Sequence, residues 1–205
     1  MPTMPTMSVP EALLCRSAPW RRLSRRTLAW SIQGFTLAGD VLEIGGGSGT
    51  MAAELADTNQ RVRITVTDLD PIMVRTAQRR LAHLPHAVAR KADATQLPYG
   101  NESFDAVTSF LMLHHVIDWE QAVNEAARVL RHGGLFLGYD LVASRLASLV
   151  HLADRSPHRL IERGTLEPVL ARAGLEVLTA QYSLRGLLLR FTARKPPLEP
   201  GGLQP

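Results

Sequence analysis

Between Asp40 and Tyr139 the sequence alternates short apolar or β-branched runs with stretches of helical period, and this constrains the fold more than any other feature. Asp40–Ile44 (DVLEI) stops on glycines, the pattern of a buried strand. Ser48 to about Asp57 reads as a helix opening from those glycines, and Arg61–Thr67 as a second strand. Pro71 suits the first turn of a helix running to about Ala82. Ala87–Lys91 and Phe104–Phe110 are the third and fourth strands. Trp119–Arg131 carries Ala122, Val123, Ala126, Ala127, Val129 and Leu130 in helical spacing, with Gly133-Gly134 as its stop and Leu135–Tyr139 as a fifth strand. Helices over Leu141 to about Leu152 and over Thr165–Ala173 follow, then strands at Leu175–Ala180 and Leu187–Thr192. Such alternation implies an α/β fold, a mostly parallel sheet with helices on both faces. The short link between the last two strands makes that pair antiparallel.

At 205 residues and 45% hydrophobic, the chain suits one medium domain with short extensions. We expect an N-terminal extension over residues 1–35, the main domain over 36–195 and a disordered tail over 196–205. The single cysteine, Cys15, excludes an internal disulfide and a cysteine-based metal cage, and makes a cytoplasmic setting the default; no metal site is expected. No apolar run reaches the ~20 residues of a membrane span.

The net charge of +4 is local. Residues 1–39 hold Arg16, Arg21, Arg22, Arg25 and Arg26 against Glu11, and the rest of the chain balances. Over Pro19–Phe35 those arginines fall on one helical face and Trp20, Leu23, Thr27 and Trp30 on another. The plain reading packs the Trp/Leu face and leaves the arginines in water. The functional readings are a lid, peripheral contact with acidic lipid, or a nucleic-acid contact.

Three sites carry chemistry, each weak alone. The loop Glu43-Ile44-Gly45-Gly46-Gly47-Ser48-Gly49 joins a strand to a helix and lets backbone approach a ligand. Asp68, at the end of the second strand, can accept from both hydroxyls of a ribose, whereas Asp70 before Pro71 reads as a helix cap. Asp93 follows the third strand, where a carboxylate can accept from an adenine amine. With this text in this order (VLEIGGGSG, VTDLDPIM, ADATQLPYGNESFDAV, FLMLHHV and ARVLRHGGLFLGYD) the chain resembles the class I S-adenosylmethionine (SAM)-dependent methyltransferases, type 11, over about Asp40–Asp140.

The resemblance implies a Rossmann-like sheet of seven strands with an antiparallel last strand, and SAM as cofactor. It implies that Glu43 fixes the methionine end of SAM, that Gly45, Gly47 and Gly49 pass beneath it, and that Gly46 and Ser48 fill the variable positions. It implies further that Asp68 holds the ribose, Leu69 and Met73 flank the adenine, Asp93 and the Ala94 backbone read the adenine edge, and the Phe110 backbone lines the methionine moiety. His132 departs from the family's usual proline before Gly133-Gly134, at a turn away from the expected pocket.

A sulfonium methyl is already electrophilic, so positioning supplies much of the catalysis and a base is needed only if the acceptor must lose a proton. The acceptor-side candidates are His114, His115 and Asp140; Tyr139 and Asp140 are expected at the pocket mouth, and Asp140 alternatively caps the next helix. Histidines in this segment of the family commonly serve packing or cofactor support. The expected reaction is in-line methyl transfer to a small-molecule acceptor. Alternatives are a nucleic-acid methyltransferase, weakened by the absence of an Asn/Asp-Pro-Pro-aromatic motif at Phe110-Leu111-Met112, and a SAM-binding protein without catalysis. A nicotinamide enzyme is disfavoured by the Gly45-x-Gly47-x-Gly49 spacing. The acceptor and the oligomeric state are not legible.

Overall fold

The computed structural model describes residues 18–144, 147–148 and 158–198. Helix α1 (Ala18–Ser31) precedes β1 (Gly39–Ile44), α2 (Thr50–Thr58), β2 (Val62–Asp68), α3 (Pro71–Leu81), β3 (Ala87–Lys91) and β4 (Phe104–Phe110). A 3₁₀ turn over Leu113–His115 leads to α4 (Trp119–Val129), β5 (Leu130–Leu141), α5 (Leu166–Arg172), β6 (Glu176–Ser183) and β7 (Leu188–Arg194). The seven strands form one sheet in the order β3-β2-β1-β4-β5-β7-β6. The pairs β1–β2, β1–β4, β2–β3 and β4–β5 are parallel, and β7 runs antiparallel to both β5 and β6.

Alternation along the strands sorts the core into two layers. Leu42 and Ile44 of β1 join Trp119, Ala122, Val123 and Ala126 of α4 and Leu166 and Leu170 of α5. Val41 of β1 joins Leu28 of α1, Met51 and Leu55 of α2, and Ala77 and Leu81 of α3 on the other face. Glu43 shares the parity of Val41, so a carboxyl stands on an apolar layer. Strand β1 pairs with both β2 and β4, so the chain leaves it in opposite directions; the crevice beyond its carboxyl end is where open α/β sheets take ligands.

Three boundaries differ from expectation. Helix α4 ends at Val129, before the glycines, because Leu130 already pairs with Phe104. The register then shifts to Ala106–Leu135, and Gly133 and Gly134 sit within β5, bonded to the backbone of Lys195 at 2.8 and 2.9 Å. Leu141 belongs to β5 rather than to a helix; Ala147 and Ser148 are helical, and the remainder of the helix expected to about Leu152 lies outside the described residues, apart from non-helical Val142–Ser144. The tail from residue 199 also lies outside them.

Helix α1 buries Ser24, Leu28 and Ser31, while Leu23 is 50% exposed. The packed face keeps half-buried Thr27 and Trp30 of the face read in the sequence but turns from Leu23 toward Leu28; Ser31 satisfies its own Oγ on the Leu28 carbonyl at 2.8 Å. Arg25 is exposed and paired with Glu54 of α2 at 2.9 Å. Among the described residues no helix is long and apolar enough to cross a membrane.

Candidate active site

The glycine loop leaves β1 with Gly45, Gly47 and Gly49 at φ 60°, 54° and 71°, a left-handed backbone that side chains rarely adopt. It is also closely covered. A Cβ at Gly45 would overlap Met112 Cγ, and one at Gly46 would fall 2.5 Å from Val66 Cγ1 and 2.9 Å from Glu43 Oε1. Gly49 opens α2 as its N-cap.

Three carboxylates surround this loop. Asp68 ties it to β2: the Gly47 N–H donates to Asp68 Oδ2 at 2.8 Å and the Asp70 N–H to Oδ1 at 2.8 Å. Burial raises the Asp68 pKa against the pull of those N–H groups. Glu43 lies beneath the loop, 1% exposed. Burial first and the Asp68 charge second push its pKa up to about 8, while the Ala52 N–H in the first turn of α2 acts to lower it. Its Oε2 is buried and has no hydrogen-bond partner among the described residues. A desolvated carboxyl with an open acceptor is suited to a cationic or hydrogen-donating ligand group. Asp70 accepts from the Ile72 N–H at 2.7 Å and caps α3, as read from Asp70-Pro71.

Asp93 stands at the same sheet edge, next to Ala92, whose N–H donates to the Asp68 carbonyl at 3.1 Å. One of its oxygens holds the turn by accepting from Thr95 N–H and Oγ1 at 2.8 and 2.7 Å. Ala94 beside it is half-buried. Met73, expected against an adenine, is 1% exposed on the inward face of α3; half-buried Leu69 and exposed Ile72 form the open apolar surface here. Ser48 is buried within the loop, 3.0 Å from Thr50 Oγ1.

Past β4, Phe110 is half-buried and packs on Tyr139, ring centroids 5.6 Å apart. Tyr139 in turn meets Trp30 of α1 edge-on at 5.6 Å. Arg190 of β7 donates to the Trp30 carbonyl at 2.5 Å, to Gln33 Oε1 and to Gln181 Oε1, and its guanidinium stands 5.4 Å from the Trp30 ring.

Asp140 is not at a pocket mouth. It has no exposed surface, because β5 continues past it to Leu141 and its carboxylate turns inward. Oδ2 accepts from the N–H groups of Met112 and Leu113 at 3.1 and 2.7 Å; Oδ1 accepts from His114 Nδ1 and from the Leu141 N–H at 2.7 Å. His114 is 2% exposed, and His115, half-buried, stacks on it with ring centroids 4.1 Å apart. Neither Asp140 nor His114 presents the surface a residue touching an acceptor needs. The Met112 contact and the Arg190 link had no signal in the sequence, since both join elements remote along the chain.

His132 lies at the opposite edge, 2.7 Å from the Pro196 carbonyl. A shallow groove of about 450 Å³ there, lined by Arg128, His132, Gly174 and Lys195, is remote from the glycine loop.

Residues 42–138 match the family described as methyltransferase domain. The chain is 33% identical over 151 residues to demethylmenaquinone methyltransferase of Clavibacter sepedonicus, covering 66% of this chain and 58% of that protein. It is 36% identical over 157 residues to 27-O-demethylrifamycin SV methyltransferase of Amycolatopsis mediterranei, covering 70% and 57%. It thus spans somewhat over half the length of these relatives. Among solved structures, a chain from the complex of the Haloferax volcanii Trm112 methyltransferase activator with its methyltransferase superposes with a TM-score of 0.77 at 19% identity, over 92% of this chain and 95% of that one.

Proposed function

Since the chain carries a class I methyltransferase domain, whose cofactor is SAM, we propose that it transfers a methyl group from SAM to a small-molecule acceptor at the carboxyl edge of β1, β2 and β4. The observation that carries this reading is the Gly47–Asp68 hydrogen bond, which ties the glycine loop to an acid that keeps acceptor capacity for a ligand hydroxyl. The residues fit the cofactor: Asp68 would hold the ribose, Leu69 with Met73 beneath would flank the adenine, Asp93 and the Ala94 backbone would read its edge, and Glu43 and the Phe110 backbone would bound the methionine end. Glu43 suits an ammonium group, which favours its ionised form. When bound, SAM supplies an electrophilic methyl; the chain has to hold the acceptor in line and exclude water.

The acceptor side is assigned to half-buried Trp30, Phe110, Leu111 and Leu188, which favour an apolar or planar molecule. The relatives act on demethylmenaquinone and 27-O-demethylrifamycin SV, both small-molecule acceptors by name. The contact chain Phe110–Tyr139–Trp30 supports α1 as a cover over this region. Of the three acceptor-side candidates only His115 keeps partial exposure, so it is the one we assign to any proton removal. Calorimetry against SAM and NAD, followed by a screen for methyl incorporation into metabolite extracts, tests the reading. Binding of NAD in preference to SAM would overturn it.

A further inference from the structure

The turn after β4 is held in a conformation its own sequence does not favour. Leu111 has φ 52°, a left-handed backbone that is unfavourable for a residue with a Cβ and persists only when the surroundings fix it. Hydrogen bonds from both sides fix it. The Leu111 N–H donates to the Tyr139 carbonyl at 2.9 Å, and the next three residues, Met112, Leu113 and His114, all donate to the single carboxylate of Asp140. From the other side, the Arg159 N–H donates to the His114 carbonyl at 2.8 Å, and Arg159 is itself held by both oxygens of Glu120 at 2.6 Å. The Met112 side chain, placed by this turn, covers Gly45 at the first step of the glycine loop.

We infer that Asp140 is a positioning residue for cofactor binding: it fixes the strained turn after β4, and through Met112 it holds Gly45 and the glycine loop in the binding conformation. A second consequence follows from the same carboxylate. Because Asp140 accepts, His114 carries its proton on Nδ1, so the tautomer is set from the end of β5. The inference rests on the glycine loop being the SAM site, and the experiment separates the two.

The probe is S-adenosylhomocysteine, titrated calorimetrically into wild type, Asp140→Asn, Asp140→Ala, Met112→Ala and, as the reference for the site itself, Asp68→Ala. Asparagine with its oxygen on the Met112 and Leu113 N–H groups keeps those two bonds but turns an NH₂ toward both His114 and the Leu141 N–H, so the other two are lost. Asp140→Asn is therefore expected to hold the dissociation constant within about threefold, while ¹⁵N spectra show the His114 proton moved to Nε2. Asp140→Ala and Met112→Ala are expected to weaken binding about tenfold or more, although neither side chain is assigned to the cofactor. If Asp140→Ala does not fold, Met112→Ala carries the test. Affinity within twofold of wild type in folded Met112→Ala or Asp140→Ala, beside a clear loss in Asp68→Ala, overturns the inference and leaves the site standing. Asp140→Asn as weak as Asp140→Ala overturns it too, since the two N–H bonds to Met112 and Leu113 would then not be what holds the loop. Unchanged affinity in Asp68→Ala removes the site reading itself.

Discussion

Asp68 and Asp70 stand two residues apart, both carboxylates at the end of β2, and the geometry gives them different work. Asp68 Oδ2 and Oδ1 accept the Gly47 and Asp70 N–H groups at 2.8 Å, the Leu69 N–H also acts on the carboxylate, and acceptor capacity remains for a ligand donor. Asp70 spends its carboxylate on the Ile72 N–H at the start of α3. Replacing Asp68 by alanine removes the acceptors proposed for two ribose hydroxyls and frees the Gly47 N–H. At about 0.5–1.5 kcal/mol for each lost net hydrogen bond, the sum is about 1–3 kcal/mol. That corresponds to a SAM dissociation constant about 5- to 150-fold weaker. Asp70→Ala removes a helix cap worth about 1 kcal/mol, which lowers the melting temperature by a few degrees. It should leave affinity within about twofold. Calorimetric titration of both variants with SAM, beside thermal melts, gives a crossed result: affinity falls in one and stability in the other. Equal losses of affinity, or an unchanged constant in folded Asp68→Ala, would refute the division of labour.

Glu43 sets a pH dependence of definite sign. Its folded pKa of about 8 lies above the ordinary 4.5, so its contribution to stability is fully present below pH 4.5 and is lost as pH rises through 8. Glu43→Gln should flatten urea midpoints across that window, and SAM binding at pH 7 should release a proton, seen as a dependence of calorimetric enthalpy on buffer ionisation. Arg190→Met removes the donors that fasten Trp30, Gln33 and Gln181; a loss on the order of 2 kcal/mol in urea titrations is expected, with earlier proteolysis within α1. Gly138→Ala would drive a Cβ into the Ser109 carbonyl of the paired strand, where backbone cannot yield. It should cost more than 3 kcal/mol, whereas Gly133→Ala, with open space around it but φ 83°, should cost about 1 kcal/mol; chevron or urea analysis of the pair checks the ranking.

The legible part of this protein is the part written in local chemistry. Glycines after DVLEI, an acid at the end of β2 and proline after Asp70 each dictate their own neighbourhood, and the structure has the mostly parallel sheet with an antiparallel closing pair that the strand–helix alternation implies. What stayed hidden is decided between remote segments. Helix α4 stops at Val129, although its apolar period continues, because Phe104 takes Leu130 into the sheet. The face of α1 was legible only in part: Thr27 and Trp30 pack inward, but Leu28 with the small Ser24 and Ser31 is buried and Leu23 is exposed. Asp140 reads from the sequence as an acceptor-side residue at the pocket mouth or a cap on the next helix. Only the fold shows that three consecutive residues 26 to 28 positions earlier converge on it.

The same side-chain chemistry is used in opposite ways at the two edges of the sheet, and this supports placing the proposed cofactor site at the loop edge. At the edge away from the glycine loop, Asp40 is held below the usual carboxylate range by Arg63 and Arg131, and Arg131 also reaches Asp105 at 2.8 Å. Those pairs add stability above the ordinary carboxylate range that is lost as pH falls through the lowered pKa. At the loop edge, Glu43 and Asp68 are raised by burial first, with a neighbouring like charge adding to it, Asp68 beside Glu43 and Asp70 beside Asp68, and no cation is among the causes. Carboxylates kept this way make the folded chain less stable than apolar residues in the same places would, so the arrangement makes sense as a receptor completed by its ligand. An arginine introduced beside Glu43 should accordingly stabilise the free protein toward high pH and weaken SAM binding together. A gain in both would mean that the two acids are structural.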